Sequence, residues 1–408
     1  MYALESFLCG SRSSCVFSEE RSCILQARRK KGRGKRMRVR LLLVMLMVLC
    51  CVLGMYAVAW YISQRLLNSS FAGWPSSIHI LGVTEDTVTI ERTSASGKPG
   101  VYGIDWPEGY ALLGEIVEAS ATSVTRRLLE ATQPPPTGLH VNWNIYVYRG
   151  TPQSALGLPF SEVAVEGQLG PMPAWFLTGE RRTWVILVHG IRGSREEGLR
   201  VLKLLTGLEL PVLDISYRND PEAPRSSDGL YHLGDTEWQD LEAAVRYALE
   251  HGAEDVVLYG WSMGGNLVQT FLRRSHEAGH VRAIVLDAPT LDYRALTRKQ
   301  ARLRLFAIIM EHVITLRTGL SVDALDHVKQ ARSITKPTLL FHGVQDELNP
   351  VASSDAFAQA RPDLVTYHRV NDADHTGSWN ADSQAYEAAL KSFLERTLGL
   401  ASEGVRAM

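Results

Sequence analysis

Ser262 stands in Gly260-Trp261-Ser262-Met263-Gly264, behind the apolar run 256–259 and ahead of a helix-compatible stretch. The pattern G-x-S-x-G puts a serine on a tight strand-to-helix turn, where flanking glycines admit neighbouring backbone and the hydroxyl is exposed. A helix amino terminus directly beyond it favours developing negative charge. Ser262 is therefore a candidate nucleophile, and a serine hydroxyl needs a base within hydrogen-bond reach to take its proton. Histidine suits that task because it titrates near neutrality, and a buried carboxylate fixes its tautomer and stabilises the imidazolium. Three further motifs supply such groups. Residues 184–188 run into His189-Gly190-Ile191-Arg192-Gly193, and residues 338–341 run into His342-Gly343-Val344-Gln345-Asp346. Residues 365–370 are followed by Ala373-Asp374-His375-Thr376-Gly377. Each motif closes a strand-like run, and the order serine, acid, histidine separates one serine-triad architecture from the others. Asp287, after the strand-like run 283–286, is the alternative acid.

The elements that must hold these groups are legible as short apolar runs alternating with helical stretches. Runs 184–188, 212–215, 256–259, 283–286 and 338–341 read as buried strands, while Trp238, Leu241, Val245 and Leu249 recur at helical spacing. Residues 160–165 and 173–178 form a hairpin around a Gly- and Pro-containing turn. The expected fold class is α/β, a mostly parallel sheet with helices on both faces. About 50 residues separate the run ending at Leu286 from the one starting at Pro337, and ligands in such sheets bind beyond the strands' carboxyl ends. This stretch, about 288–335, reads as a helical cap over Ser262 that lines an acyl pocket or packs on the sheet.

The four motifs resemble the α/β-hydrolase superfamily over residues 160–398, most closely its serine aminopeptidase-like or Bem46-like branch. That resemblance implies Ser262 as nucleophile, His375 as general base and Asp346 as the acid that orients it. It implies an oxyanion hole from the backbone N–H groups of Met263 and Ile191, with His189 bracing that loop and His342 supporting the turn to Asp346. It implies no cofactor and no metal. A serine nucleophile excludes the haloalkane dehalogenase and epoxide hydrolase branches, which use aspartate. Asp374 departs from the pattern, since glycine is common before the histidine; it reads as a solvated loop residue, with modulation of the histidine pKa as the alternative. His276 and His280 share a four-residue spacing, but no third ligand type stands near them.

Lys and Arg (43) nearly balance Asp and Glu (44), giving net charge −1 and no reason to expect a nucleic-acid partner. The balance hides a run from Arg28 to Arg40 with nine basic residues and no acid, followed by Leu41 to Ile62 without a charge. Such a helix is about 33 Å long, enough for a bilayer core of about 30 Å. We expect a basic cytoplasmic tail (1–40) and a membrane anchor (41–62), with the remainder extracytoplasmic by the positive-inside rule. A cleaved signal peptide is the alternative. Residues 1–36 look unlike a folded segment, and Met37 resembles a natural start. All five cysteines precede residue 52, so the remainder forms no internal disulfide. Ser63 to Ser77 reads as a polar linker. Strand-like pieces at 87–92, 100–106, 111–118 and 141–148 define a small β-rich domain (78–157) ahead of the hydrolase-like region (160–400). It is a spacer, an entrance wall or a partner site. The expected activity is cleavage of a small-molecule or lipid-like acyl ester at the membrane. Acyl transfer with the same triad, peptidase activity and a catalytically silent scaffold are the alternatives.

Overall fold

In a computed structural model, residues 13–69 and 77–400 are described, and the chain divides into two compact units, Met1–Trp60 and Tyr61–Met408. Helix α1 (Ser13–Leu67) supplies the first unit and enters the second. Its part Lys35–Leu67 is long and apolar enough to cross a membrane, by length and composition. The helix is longer at both ends than the apolar run. No proline occurs before Pro75, and Arg and Lys are good helix formers. Residues 1–12 of the expected tail lie outside the described residues; from Ser13 the chain is helical. The expected polar linker is also corrected in part. Ser63 and Leu67 are fully buried in helix, while residues 70–76 lie outside the described residues.

Six antiparallel strands then close a barrel: β1 (Ser77–Val83), β2 (Thr87–Glu91), β3 (Tyr102–Trp106), β4 (Gly109–Ala119), β5 (Ser123–Ala131) and β6 (His140–Asn144). Their order around the barrel is β1-β2-β5-β4-β3-β6. Closure removes the exposed edges that a small sheet would otherwise present. Alternate residues point inward, so Ile78, Ile80, Val88, Ile90, Ile104, Leu113 and Trp143 share one core. β1 and β5 escaped the sequence reading. In β5 the inward position after Val124 is Arg126, and a buried arginine breaks the apolar alternation. Its guanidinium donates to the carbonyls of Ser96, Lys98, Gly100 and Gly114, and packs against Tyr102 and Trp143. This arginine pins the loop 96–100, which matters below.

After α2 (Pro152–Leu156) the second layer begins with the expected hairpin, β7 (Ser161–Gly167) and β8 (Gly170–Leu177). It continues through β9 (Thr183–Val188), α3 (Leu199–Gly207), β10 (Val212–Ile215), α4 (Trp238–Glu250), β11 (Asp255–Trp261), α5 (Met263–Arg274) and β12 (Val281–Asp287). The connection after β12 carries α6 (Tyr293–Ala301), α7 (Arg304–Thr318) and the short α8 (His327–Gln330). Then follow β13 (Thr338–Gly343), α9 (Val351–Ala360), β14 (Val365–Val370), α10 (Ser378–Ala381) and α11 (Ser383–Leu398). The sheet runs β14-β13-β12-β11-β9-β10-β8-β7; β8 is antiparallel to both neighbours and the other pairs are parallel. Strands β9 to β13 are buried on both faces, which is why they read as continuous apolar runs.

Candidate active site

Four carboxyl ends of the parallel strands converge on Ser262. The residue sits between β11 and α5 at φ 50° and ψ −115°, a conformation that costs a non-glycine residue about 1–3 kcal/mol. The turn needs its glycines. A Cβ on Gly260 would lie 2.5 Å from the Gly264 backbone, and one on Gly264 would lie 2.1 Å from the Val188 carbonyl oxygen. Helix and strands are thus pressed together at the elbow, and the strain is held by bonds from Ser262 N–H to Asp287 O (3.0 Å) and from Thr290 N–H to Ser262 O (3.0 Å).

The structure brings Ser262, His375 and Asp346 into one chain of hydrogen bonds. His375 Nε2 lies 2.9 Å from Ser262 Oγ, and His375 Nδ1 lies 2.8 Å from Asp346 Oδ2. The other oxygen, Asp346 Oδ1, accepts from Leu348 and Asn349 N–H, both at 2.8 Å. His342 Nε2 stands 3.2 Å from Oδ2 while its Nδ1 bonds Ser354 Oγ at 2.7 Å. Burial would raise the Asp346 pKa, but His342 and His375 outweigh it and hold the carboxyl well below the usual range. For His375 burial acts downward, yet the Asp346 carboxylate prevails and the imidazole pKa is raised. An imidazole so placed can take a proton at Nε2 while its Nδ1–H stays toward Asp346.

Asp287, the alternative acid, makes no bond to His375. Its carboxylate accepts from Ser378 Oγ (3.1 Å) and Tyr386 OH (3.0 Å), fully buried behind the elbow. Burial pushes its pKa up to about 6, against the pull of Arg200 and these two hydroxyls.

Met263 and Ile191 line the same cavity as Ser262. The loop carrying Ile191 is braced from two sides. His189 pairs with Asp220 (2.9 Å), stacks on Tyr217, and is pushed up to about 9; burial works downward but the Asp220 charge and hydrogen bond exceed it. Glu197 accepts from Gly190 N–H (2.8 Å) and pairs with Arg200, which in turn donates to Thr376 O (2.9 Å) beside His375. Arg200 therefore ties the loop of Ile191 to the loop of His375. Sequence reasoning passed over it, because Leu199–Gly207 reads as an ordinary amphipathic helix with two basic residues.

Two more basic residues were missed. Lys98, on the barrel loop pinned by Arg126, pairs with Asp374 at 2.5 Å. The expectation of a solvated Asp374 is corrected: it is the barrel's contact with the histidine loop. Asn380 extends the contact, accepting from Val101 N–H (2.9 Å) through its backbone carbonyl and donating to Val101 O (2.8 Å) through its side-chain Nδ2. Gly100 permits this approach, since at φ +106° its Cβ would fall 2.0 Å from the Asn380 carbonyl oxygen. Lys299 of α6 donates to the carbonyls of Asp346 and Asn349, and Gln300 to that of Glu347, so the connection after β12 braces the acid loop as well as covering the serine.

A cavity of about 70 Å³ ends at Ser262. Its walls are Leu66, Leu233, Leu296, Ile314, Leu320, Val322 and Leu348, with Tyr293 and Thr297 at the side. The carboxylate in the wall, Glu311, is paired with Arg294 at 3.1 Å. Among the described residues no group of three His, Cys, Asp or Glu side chains is placed to hold a metal. His280 faces Glu277 at 3.8 Å.

Fold and site together define a serine hydrolase. Residues 226–401 match the prolyl oligopeptidase family, and residues 79–144, the barrel, match a domain of unknown function, DUF8805. An esterase of Pyrococcus furiosus, Pf2001, superposes with TM-score 0.51 at 20% identity, over 62% of this chain and 96% of that one. Est1E from Butyrivibrio proteoclasticus gives 0.46 at 17%, over 58% and 99%. An esterase from Pyrobaculum calidifontis gives 0.44 at 19%, over 60% and 87%. No curated protein matches the chain in sequence. The chain has the α/β-hydrolase fold.

Proposed function

We propose that the protein is a membrane-anchored esterase in which Ser262 attacks an apolar acyl ester. His375 accepts the serine proton, Asp346 holds the histidine, and the N–H groups of Met263 and Ile191 receive the oxyanion. Attack forms an acyl-serine and releases the alcohol, with the proton passing through His375; water then attacks the acyl-serine by the same route and the acid leaves. The anchor is α1, with the basic run 28–40 on the cytoplasmic side.

The apolar cavity at Ser262 carries this reading. A peptidase site that takes a free amino terminus needs an available carboxylate, and Glu311 is already engaged by Arg294. Peptide cleavage is the second reading, favoured by the prolyl oligopeptidase match. The test is turnover of p-nitrophenyl esters from acetate to decanoate beside prolyl p-nitroanilides, by the full-length protein in detergent. We expect ester turnover to dominate, and Ile314→Trp, which fills the cavity, to move the optimum to shorter acyl chains. Better turnover of a prolyl anilide, or equal losses for every ester in Ile314→Trp, would overturn the assignment.

A further inference from the structure

Helix α7 has two faces, and one of them is buried, with α6 packed against the helix. Ala307, Ile309, Met310, Val313 and Ile314 are buried. On the opposite face Leu305, Ile308 and Leu316 fall within one arc of the helix and are 53%, 54% and 64% exposed. Leu303, just before the helix, is 67% exposed. None of the exposed side chains on α7 is acidic. Arg298 in the last turns of α6, Arg302 between the helices and Arg304 at the start of α7 are all exposed, and none of the three side chains makes an ion pair or hydrogen bond among the described residues. An apolar stripe edged by unengaged arginines fits an anionic bilayer surface, where the side chains enter the acyl boundary and the cations meet headgroups.

The neighbourhood of this stripe names the occupant. Arg317, at the end of α7, donates to Ser63 Oγ (2.8 Å) and to Gln64 Oε1. Ser63 directly follows the uncharged run that ends at Ile62, so the cap is fastened to the chain within a residue or two of that run. Leu66, four residues beyond Ile62, is itself a wall of the cavity at Ser262. Leu348, another wall residue, is 39% exposed. A shallow groove lined by Ile308, His312 and Thr315 shares Glu311, Leu320 and Val322 with that cavity, so only these side chains stand between the outer stripe and the serine's pocket.

We propose that the outer face of α7, with Arg298, Arg302 and Arg304, seats on an anionic membrane surface, and that the acyl substrate is a lipid-phase ester drawn from that surface. The substrate half rests on the esterase reading; the seating half does not.

The experiment uses the full-length protein, its five cysteines replaced, reconstituted in phosphatidylcholine vesicles with or without phosphatidylglycerol. A polarity-sensitive fluorophore is attached at Ile308→Cys and, as the control, at the barrel position Leu129→Cys. Spin-labelled lipid should quench the Ile308 probe and spare the Leu129 probe. Arg302→Gln with Arg304→Gln should weaken seating on anionic vesicles by about fivefold per charge. In parallel, Leu305→Asp with Leu316→Asp should keep wild-type hydrolysis of p-nitrophenyl acetate and lose hydrolysis of an ester embedded in the vesicle. A Ile308 probe as unquenched as the control would overturn the seating. So would a probe shielded in lipid-free detergent by concentration-dependent pairing, because the stripe would then cover a second copy. Unchanged vesicle hydrolysis by the aspartate variants would overturn the lipid-phase route. A quenched Ile308 probe in a protein that cleaves no ester would uphold the seating and sink the esterase reading alone.

Discussion

Replacing Asp346 by asparagine tests the logic of the site, because the structure dictates which way the new amide must face. Asp346 Oδ1 accepts two backbone N–H groups at 2.8 Å, from Leu348 and Asn349. An amide nitrogen cannot accept them, so the asparagine keeps its oxygen there and turns its NH2 toward the place of Oδ2. That NH2 then donates to His375 Nδ1, now 2.8 Å from a donor where an acceptor stood. His375 must give up its Nδ1 proton and carry one on Nε2, facing Ser262 Oγ at 2.9 Å. The histidine is held in the tautomer that cannot take the serine proton, without any change of volume. By the behaviour of serine triads this lowers kcat by about 10⁴, or about 5 kcal/mol of transition-state stabilisation. The assay is turnover of p-nitrophenyl butyrate by full-length Asp346→Asn, with a melting curve to show that the fold survives. Imidazole ¹⁵N shifts of His375 should report the exchange of tautomer. A folded variant that keeps more than about a tenth of wild-type kcat would refute the assigned roles of Asp346 and His375.

The remaining predictions concern protonation and packing. His375 is raised by Asp346, and a base works only when neutral, so kcat/KM should climb with pH through a midpoint above the ordinary histidine value of about 6.5. A midpoint below that value in a pH–rate profile would contradict the pairing. Asp287 has its pKa raised to about 6, above the unfolded value of about 3.9, so its contribution to stability is present below about pH 4 and lost as pH rises through 6. The loss amounts to roughly 3 kcal/mol. Asp287→Asn should therefore gain melting temperature relative to wild type as pH goes from 5 to 8, and a constant difference would speak against a strained buried carboxylate. Gly264→Ala should destabilise by more than about 3 kcal/mol, since its methyl would meet the Val188 carbonyl oxygen at 2.1 Å. Wild-type melting in that variant would show the elbow to be looser than described.

The parallel strands and the convergence of Ser262, Asp346 and His375 were legible because each leaves a local mark. A strand buried on both faces is an apolar run, and its end is punctuated by Gly next to the reactive residue. The barrel was only partly legible, since β5 turns Arg126 inward where an apolar residue is expected and Pro134 to Pro136 interrupt the approach to β6. The bracing of the site was not legible. Arg200, Lys98 and Lys299 each act on a residue more than 40 positions away in sequence: Thr376, Asp374 and Asp346. Nothing local distinguishes such a basic residue from one on a solvated face. Asp374 shows the same limit, because its partner lies in a different domain. The burial of Ser63 and Leu67 was hidden for the opposite reason, since polar character next to an apolar run imitates a linker.

The central claim is that Ser262 is an activated nucleophile, and fluorophosphonate labelling of the full-length protein tests it most directly. The account predicts one adduct, located to Ser262 by peptide mass, abolished in Ser262→Ala and strongly slowed in Asp346→Asn. A folded wild-type protein that takes no label, or a label that persists in Ser262→Ala, would contradict it.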